Sequence, residues 1–258
     1  MDDGSPAPAE STVARFRGRL ALTVVRQVRQ GPAKARNAGA ARARGDYLAF
    51  TDDDCTVSPG WLRSLARRLE AAPRCAVGGR TLNALSGNLF STASQLLVDY
   101  LYTRFNTDPE RPFFMASNNL AFPVACFRDV GGFDPAYVRA AGEDRDLCRR
   151  WLDSGRRLVH ASDAVVHHAH ALTLRGFWRQ HFNYGRGAYL FHHKRAQGSG
   201  SRIRLEPLSF YLGLLGFPFS RKDGCHPALL SALLFLAQQA TAAGFILECF
   251  GGQRAPEG

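Results

Sequence analysis

Three consecutive carboxylates, Asp52-Asp53-Asp54, follow directly on the apolar run Tyr47-Leu48-Ala49-Phe50. Like charges this close repel and raise one another's pKa, so the arrangement is costly unless something positive is set against it. Open α/β sheets place their ligands outside the carboxyl ends of the strands, where an Asp cluster suits a divalent cation. Mg²⁺ or Mn²⁺ prefers oxygen ligands and is held by one or two carboxylates together with substrate phosphates. Taken alone, an Asp triplet reads better as an acidic loop or helix cap; the surrounding chain decides between the two.

That chain reads as α/β. Leu20-Ala21-Leu22-Thr23-Val24-Val25 predicts a short buried strand, and a helix over residues 33–44 follows Gly31-Pro32 until Gly45-Asp46 stops it. Residues 47–50 predict a second buried strand. Ser58-Pro59-Gly60 reads as a helix start, Ser58 as N-cap and Pro59 at the first position, with Trp61, Leu62, Leu65 and Leu69 at helical spacing. Residues 75–79 predict a strand and 88–104 a helix that buries Leu96, Leu97 and Tyr100. Residues 113–122 predict a strand with a polar interruption at Ser117-Asn118-Asn119. Gly131-Gly132-Phe133-Asp134 is a turn, and Gly142-Glu143-Asp144-Arg145-Asp146 opens a helix reaching about Ser154, its carboxylates in the first turn where the helix dipole favours them. Two short strands, Leu158-Val159 and Ala164-Val165-Val166, follow, the second ending at His167-His168-Ala169-His170.

With 258 residues and 45% hydrophobic content the chain can build one substantial α/β core with an appendage. Lys and Arg exceed Asp and Glu by eleven, and Lys34, Lys194 and Lys222 are the only lysines. The positive charge is therefore almost all guanidinium, which suits phosphate and carboxylate. Charge of this kind attracts a nucleotide, a nucleic acid or an anionic membrane, or is simply a solvated basic surface. A nucleic-acid partner ranks last, because no reading motif accompanies the charge. The six cysteines are widely separated, which predicts free thiols in a reducing compartment and argues against a structural zinc site.

Four segments in order tip the balance. Gly31-Pro32-Ala33-Lys34-Ala35-Arg36-Asn37-Ala38-Gly39 resembles the G-x-x-x-A-R-N-x-G segment of family 2 glycosyltransferases, and residues 45–54 resemble the D-x-D region of that family. Gly131-Gly132-Phe133-Asp134 and Gly142-Glu143-Asp144-Arg145-Asp146-Leu147 match its G-G-F-D and G-E-D-x-D-L segments. Each is weak alone; their order across residues 31–170 is specific. The resemblance implies a GT-A fold, a Rossmann-like mixed sheet flanked by helices, and an inverting transfer of sugar from a nucleotide-diphosphate sugar to a glycan or lipid-linked acceptor, with Mn²⁺ or Mg²⁺ as cofactor.

Carried over by position, the resemblance places Asp3, Asp52 and Asp53 at the nucleotide and Arg36 beside it. Asp54 becomes a metal ligand, and Asp144 the base that takes the proton from the acceptor hydroxyl. Glu143 is a rival to Asp144 and a substrate-binding candidate; Asp146 is a further rival, with helix capping the plainer role for either. Val166-x-His168 resembles a segment whose His is an additional metal ligand in some members. Between His168, His167 and His170 that role stays open, as does a plain surface or core role. Ser117, Asn118 and Asn119 resemble a polar strand end facing donor sugar and acceptor, with a turn as the equal alternative. Met1-Asp2-Asp3-Gly4-Ser5 resembles the D-D-G-S segment that closes the second strand, so roughly 40 residues of first strand and helix are expected upstream of Met1 in a longer reading frame.

Beyond Thr173, aromatic residues alternate with Arg, His and Lys, which predicts a basic aromatic helix over 173–196. Gln197-Gly198-Ser199-Gly200-Ser201 reads as a flexible break. Residues 228–250 are apolar but interrupted by Gln238, Gln239 and Glu248, which favours an interfacial or hairpin helix over a clean membrane span. The expected division is a catalytic domain at 1–172, truncated at its amino end, the helix at 173–196 and a membrane-associating helical tail at 197–258. The expected place is the cytoplasmic face of the plasma membrane, in cell-envelope polysaccharide synthesis. The alternative is a catalytically inactive relative that binds glycan or membrane.

Overall fold

The computed structural model describes residues 1–7, 9–108, 111–199, 206–221 and 226–251. A five-stranded mixed sheet forms its centre, in the order β1-β4-β3-β5-β2. The strands are β1 (Tyr47–Phe50), β2 (Cys55–Val57), β3 (Ala76–Asn83), β4 (Leu120–Pro123) and β5 (Leu158–His168). β3 and β5 run parallel; the other neighbours are antiparallel. A short helix α1 (Glu10–Ala14) precedes α2 (Pro32–Arg42), and α3 (Trp61–Ala71), α4 (Leu89–Phe105), α5 (Val124–Asp129) and α6 (Glu143–Asp153) follow in turn.

Each face of the sheet has its own core. On one, Leu48, Phe122, Phe127, Phe133, Leu147 and Trp151 pack together, with Phe50 edge-on to Phe122 and Phe133. On the other, Trp61, Leu65 and Leu69 of α3 lie on Val77, Ala121 and Val166. The spacing of those three α3 residues is one helical stripe; Leu62, expected beside them, falls outside it and is 61% exposed.

Several local expectations are corrected. Residues 20–25 form no strand: the segment makes isolated bridges, Arg17 with Leu20 and Asp2 with Arg26, Asp2 N–H donating to Val25 O and Gln27 N–H to Asp2 O, so Leu20 and Leu22 have no sheet face to bury them. Residues 47–50 do form a strand, but at the sheet edge, where Leu48 is buried and Tyr47 exposed. Ser58 does not cap α3 with its side chain; Gly60 occupies that position, and the Ser58 hydroxyl meets His167 Nε2 at 3.2 Å. The predicted strand at 113–122 shrinks to β4, because Ser117–Asn119 turns as a 3₁₀ segment. The two predicted strands at 158–166 are one, broken by a bulge where Gly79 pairs Ala161 and Arg80 pairs Val165.

A helical layer packs against α4. Helix α7 (Leu174–Ser199) lies along α9 (Pro227–Gly251), with α8 (Leu208–Gly216) between α9 and α4. Two glycines let α7 and α9 meet backbone to backbone: a Cβ on Gly185 would collide with the Thr241 carbonyl, and one on Gly244 with that of Phe182. The predicted break at 197–201 is helical through Ser199, and the remainder lies outside the described residues.

Candidate active site

The carboxyl end of β1 runs into the Asp52–Asp54 loop, which turns at once into β2. In the β2–β5 ladder Cys55 stands opposite His168, so the register alone carries His168 to the acidic loop. His168 Nε2–H donates to Asp54 Oδ2 at 3.1 Å, and that hydrogen bond, against the opposing effect of burial, holds the Asp54 carboxyl below the usual range. Asp54, Cys55 and His168 offer ligand atoms within 4.8 Å of one another. Burial pushes the Cys55 thiol up to about 11, so it is a neutral thiol beside a carboxylate–imidazole pair. An oxygen and an imidazole nitrogen converging in this way fit Mn²⁺ or Mg²⁺ that draws its other ligands from water and phosphate. The other two histidines of the cluster are otherwise engaged: His167 meets Ser58, and His170 stacks on His168 at 4.8 Å. Asp53 is exposed.

On the other side of Arg36, α6 begins at Gly142, whose φ of 89° is the left-handed region that glycine reaches without strain. This sharp entry sets Glu143, Asp144 and Asp146 in the first turn. Asp144 accepts from the amide N–H groups of Ser117, at 3.3 Å, and of Arg145, at 2.8 Å; burial nonetheless raises its pKa. Glu143 is 3% exposed, and burial, reinforced by Asp144 and opposed by Arg36, pushes its carboxyl up to about 7. Its Oε2 is buried without a partner. Asp146 turns away to pair with Arg150 at 2.7 Å.

Arg36 joins the two sides. Its guanidinium donates to Asp52 Oδ1 and to Glu143 Oε1, each at 2.8 Å, and lies 5.5 Å over the Phe133 ring. Helix α2, the GPAKARNAG segment, therefore ties the Asp loop to the N-terminus of α6.

The remaining expected residues are each held by partners within the chain. Asp3 accepts from Gln27 Nε2 and from the backbone N–H groups of Gln30 and Gly31 at 2.7–2.9 Å, so it fastens the entry to α2. Asn119, expected at the sugar, is a buried bolt at the β3–β5 bulge. It donates to Arg80 O and Ala164 O and accepts from Trp61 Nε1, leaving its amide fully engaged. Asn118 accepts from Thr81 Oγ1 at 3.1 Å, and Ser117 is buried with its amide on Asp144.

Two residues near the carboxylates were not expected from sequence. Tyr102 holds the Ala116 amide at 2.7 Å behind Asp144, and Tyr184 of α7 has its phenol pushed up by burial and by the charges of Asp144, Glu143 and Asp52. The i, i+4 pair Gln180 and Tyr184 was the available signal for the latter.

Comparison with known proteins gives a consistent picture. The family model described as "Glycosyl transferase family 2" matches residues 1–130. The pre-mycofactocin glycosyltransferase of Mycobacterium tuberculosis is 33% identical over 194 residues, covering 73% of this chain and 40% of the relative. A glucosyl-dolichyl phosphate glucuronosyltransferase of Haloferax volcanii is 27% identical over 168 residues, covering 58% of this chain and 54% of the relative. This chain thus spans about 40% of the mycobacterial protein's length. Among solved structures, a mannosyltransferase of Pyrobaculum calidifontis, in complex with GDP-Man and Mn²⁺, superposes with a TM-score of 0.55 at 18% identity. It covers 97% of this chain and 68% of that one. The fold is GT-A.

Proposed function

Because the chain belongs to glycosyltransferase family 2, we propose that it transfers a sugar from a nucleotide-diphosphate sugar to a glycan or lipid-linked acceptor, with inversion at the anomeric carbon. The observation that carries this reading is the Arg36 tie, which joins the Asp52–Asp54 loop to the Glu143–Asp144 turn through Asp52 and Glu143. An acidic cation site and a separate buried carboxylate facing each other are what an in-line displacement needs.

In this reading Asp54 and His168 hold a divalent cation, which when bound offsets the charge of the departing diphosphate. Asp52, Asp53 and Arg36 line the nucleotide side, and Asp3 supports it by fixing the turn into α2. The acceptor hydroxyl attacks the anomeric carbon as the bond from that carbon to the diphosphate oxygen breaks, and its proton passes to Asp144. Ser117 and Asn118 border the sugar, the Ser117 amide steadying Asp144. Glu143 keeps Asp144 in place through its own pairing with Arg36. The nucleotide bound by the Pyrobaculum enzyme and the lipid-linked substrate named for the Haloferax relative support the substrate classes.

Residues 1–172 then carry the chemistry, while the helix at 173–196 and the tail at 197–258 bring it to the cytoplasmic face of a membrane. Helix α9 is 25 residues long with only a third of its most apolar window buried, and it leaves Phe235, Ile246, Leu247 and Phe250 at least half exposed. Sedimentation with anionic vesicles tests this surface; failure to bind them at low salt defeats the membrane assignment.

The function itself is tested at Asp54. Mn²⁺ should raise the melting temperature of the wild type in the presence of UDP or GDP, and Asp54→Asn should remove that increment. A variant that keeps metal-dependent nucleotide binding and turnover ends the assignment.

A further inference from the structure

We propose that Cys55 is a third metal ligand beside Asp54 and His168, and that the three together form a site for a thiophilic cation, Zn²⁺, whose binding shuts out the Mn²⁺ or Mg²⁺ of the reaction. The inference rests on the reading of Asp54 and His168 as cation ligands and adds an inhibitor to it.

The strand ladder sets the geometry. Cys55 and His168 are direct cross-strand partners of β2 and β5, so their side chains leave the sheet on one face with Cβ atoms about 5 Å apart. Asp54 reaches both: its Oδ2 accepts from His168 Nε2 at 3.1 Å and its Oδ1 from the Cys55 thiol at 3.8 Å. Zinc bonds of about 2.0–2.3 Å in a tetrahedron give ligand-to-ligand edges of about 3.3–3.6 Å. The two separations lie on either side of that span, and the three ligand atoms all fall within 4.8 Å of one another. Closing on an ion therefore asks for shifts of about an ångström.

The backbone beneath is already fixed. Ala169 N–H donates to Asp54 O at 2.8 Å, just beyond the last pair of the ladder, and Cys55 N–H donates to Asp52 O at 3.2 Å. A site assembled in advance loses little freedom on binding. It is also open to a cation from solution: Asp54 keeps 39% of its side chain in solvent and His168 21%, and Cys55 is a half-buried free thiol.

Ligand chemistry chooses the ion. Mg²⁺ and Mn²⁺ favour oxygen and leave the sulfur unused, whereas Zn²⁺ bonds thiolate, imidazole and carboxylate alike and stands above Mn²⁺ in affinity for such sets. As the Zn–S bond forms, the thiol proton leaves to solvent. A tetrahedral ion on three protein ligands keeps one open position, while an octahedral ion on two keeps four. A diphosphate that chelates through two oxygens therefore finds room on the second and not on the first.

The test titrates metal-free protein with Co²⁺, a coloured substitute for Zn²⁺, and then displaces it with Zn²⁺ or with Mn²⁺. The wild type should show a thiolate-to-Co²⁺ charge-transfer band in the near ultraviolet that Cys55→Ser and Cys55→Ala lack, and the preference for Zn²⁺ over Mn²⁺ should fall about tenfold or more in both variants. Zn²⁺ should also cancel the rise in melting temperature that Mn²⁺ with UDP or GDP gives the wild type. A charge-transfer band that persists in both variants puts the metal on another thiol and overturns the proposal. So does a preference for Zn²⁺ that stays within about twofold of wild type. Where the wild type is still stabilised by Mn²⁺ with nucleotide, those results defeat the zinc inference alone. A wild type that binds none of the three cations defeats the parent reading of Asp54 and His168 with it.

Discussion

Asp54 keeps 39% of its side chain in solvent and is held below the usual carboxylate range by a hydrogen bond from His168, whereas Glu143, across the cleft, is buried to 3% exposure and pushed up to about 7. Both are acidic side chains of regions that one guanidinium, Arg36, ties together through Asp52 and Glu143. Their surroundings divide the labour: an open carboxylate beside an imidazole suits a cation, and a closed pair, Glu143 with Asp144, suits a proton. The difference arises from backbone setting. Asp54 sits on a loop between two strands, while Glu143 and Asp144 are pressed into the first turn of a helix under the weight of α7.

The sharpest way to break this comparison is at Asp144. Asn in its place keeps the shape and loses the base, so turnover should fall by about 10²–10⁴-fold with nucleotide affinity little changed by calorimetry. Survival of turnover would show that the closed side does not handle the proton. Next is the tie between the two sides. Arg36→Met strips the counter-charge from Glu143 and should lower unfolding free energy by about 3 kcal/mol in urea, less whatever Asp52, 34% exposed, recovers from water. Adding Glu143→Gln to that variant should restore part of the loss, and no recovery would mean the pair is not coupled.

The smallest effect reads Glu143 itself. A carboxyl that keeps its proton to higher pH when folded than when unfolded binds more protons in the native state between the two pKa values, so stability is highest at low pH and falls as pH rises toward 7. The wild type should lose about 1–3 kcal/mol across that window, and Glu143→Gln should flatten the profile. A wild type whose stability rises from pH 5 to 7 would contradict the burial of this charge.

Much of this cleft was legible in the chain. The Asp triplet lies at a strand end and Glu143 opens a helix, because apolar runs, glycines and first-turn acids are local signals that local forces obey. Contacts between distant segments were not legible. Nothing near Asn119 says that its amide will be spent on Arg80, Ala164 and Trp61, since that depends on a bulge formed forty residues later. Residues 20–25 carry strand-forming side chains yet lack the neighbours a strand requires. The mixed aromatic and basic residues of 173–196 announced a helix but gave no hint of which of them would meet α9 or the start of α6.

Gly185, Gly187 and Gly244 bring one last consequence. At Gly185 and Gly244 the two long helices meet main chain to main chain, and at Gly187 α7 meets Ala141, just before the turn into Glu143. A side chain added at Gly187 would therefore press on the backbone that seats Glu143 and Asp144, and one added at Gly185 or Gly244 would part the two helices behind it.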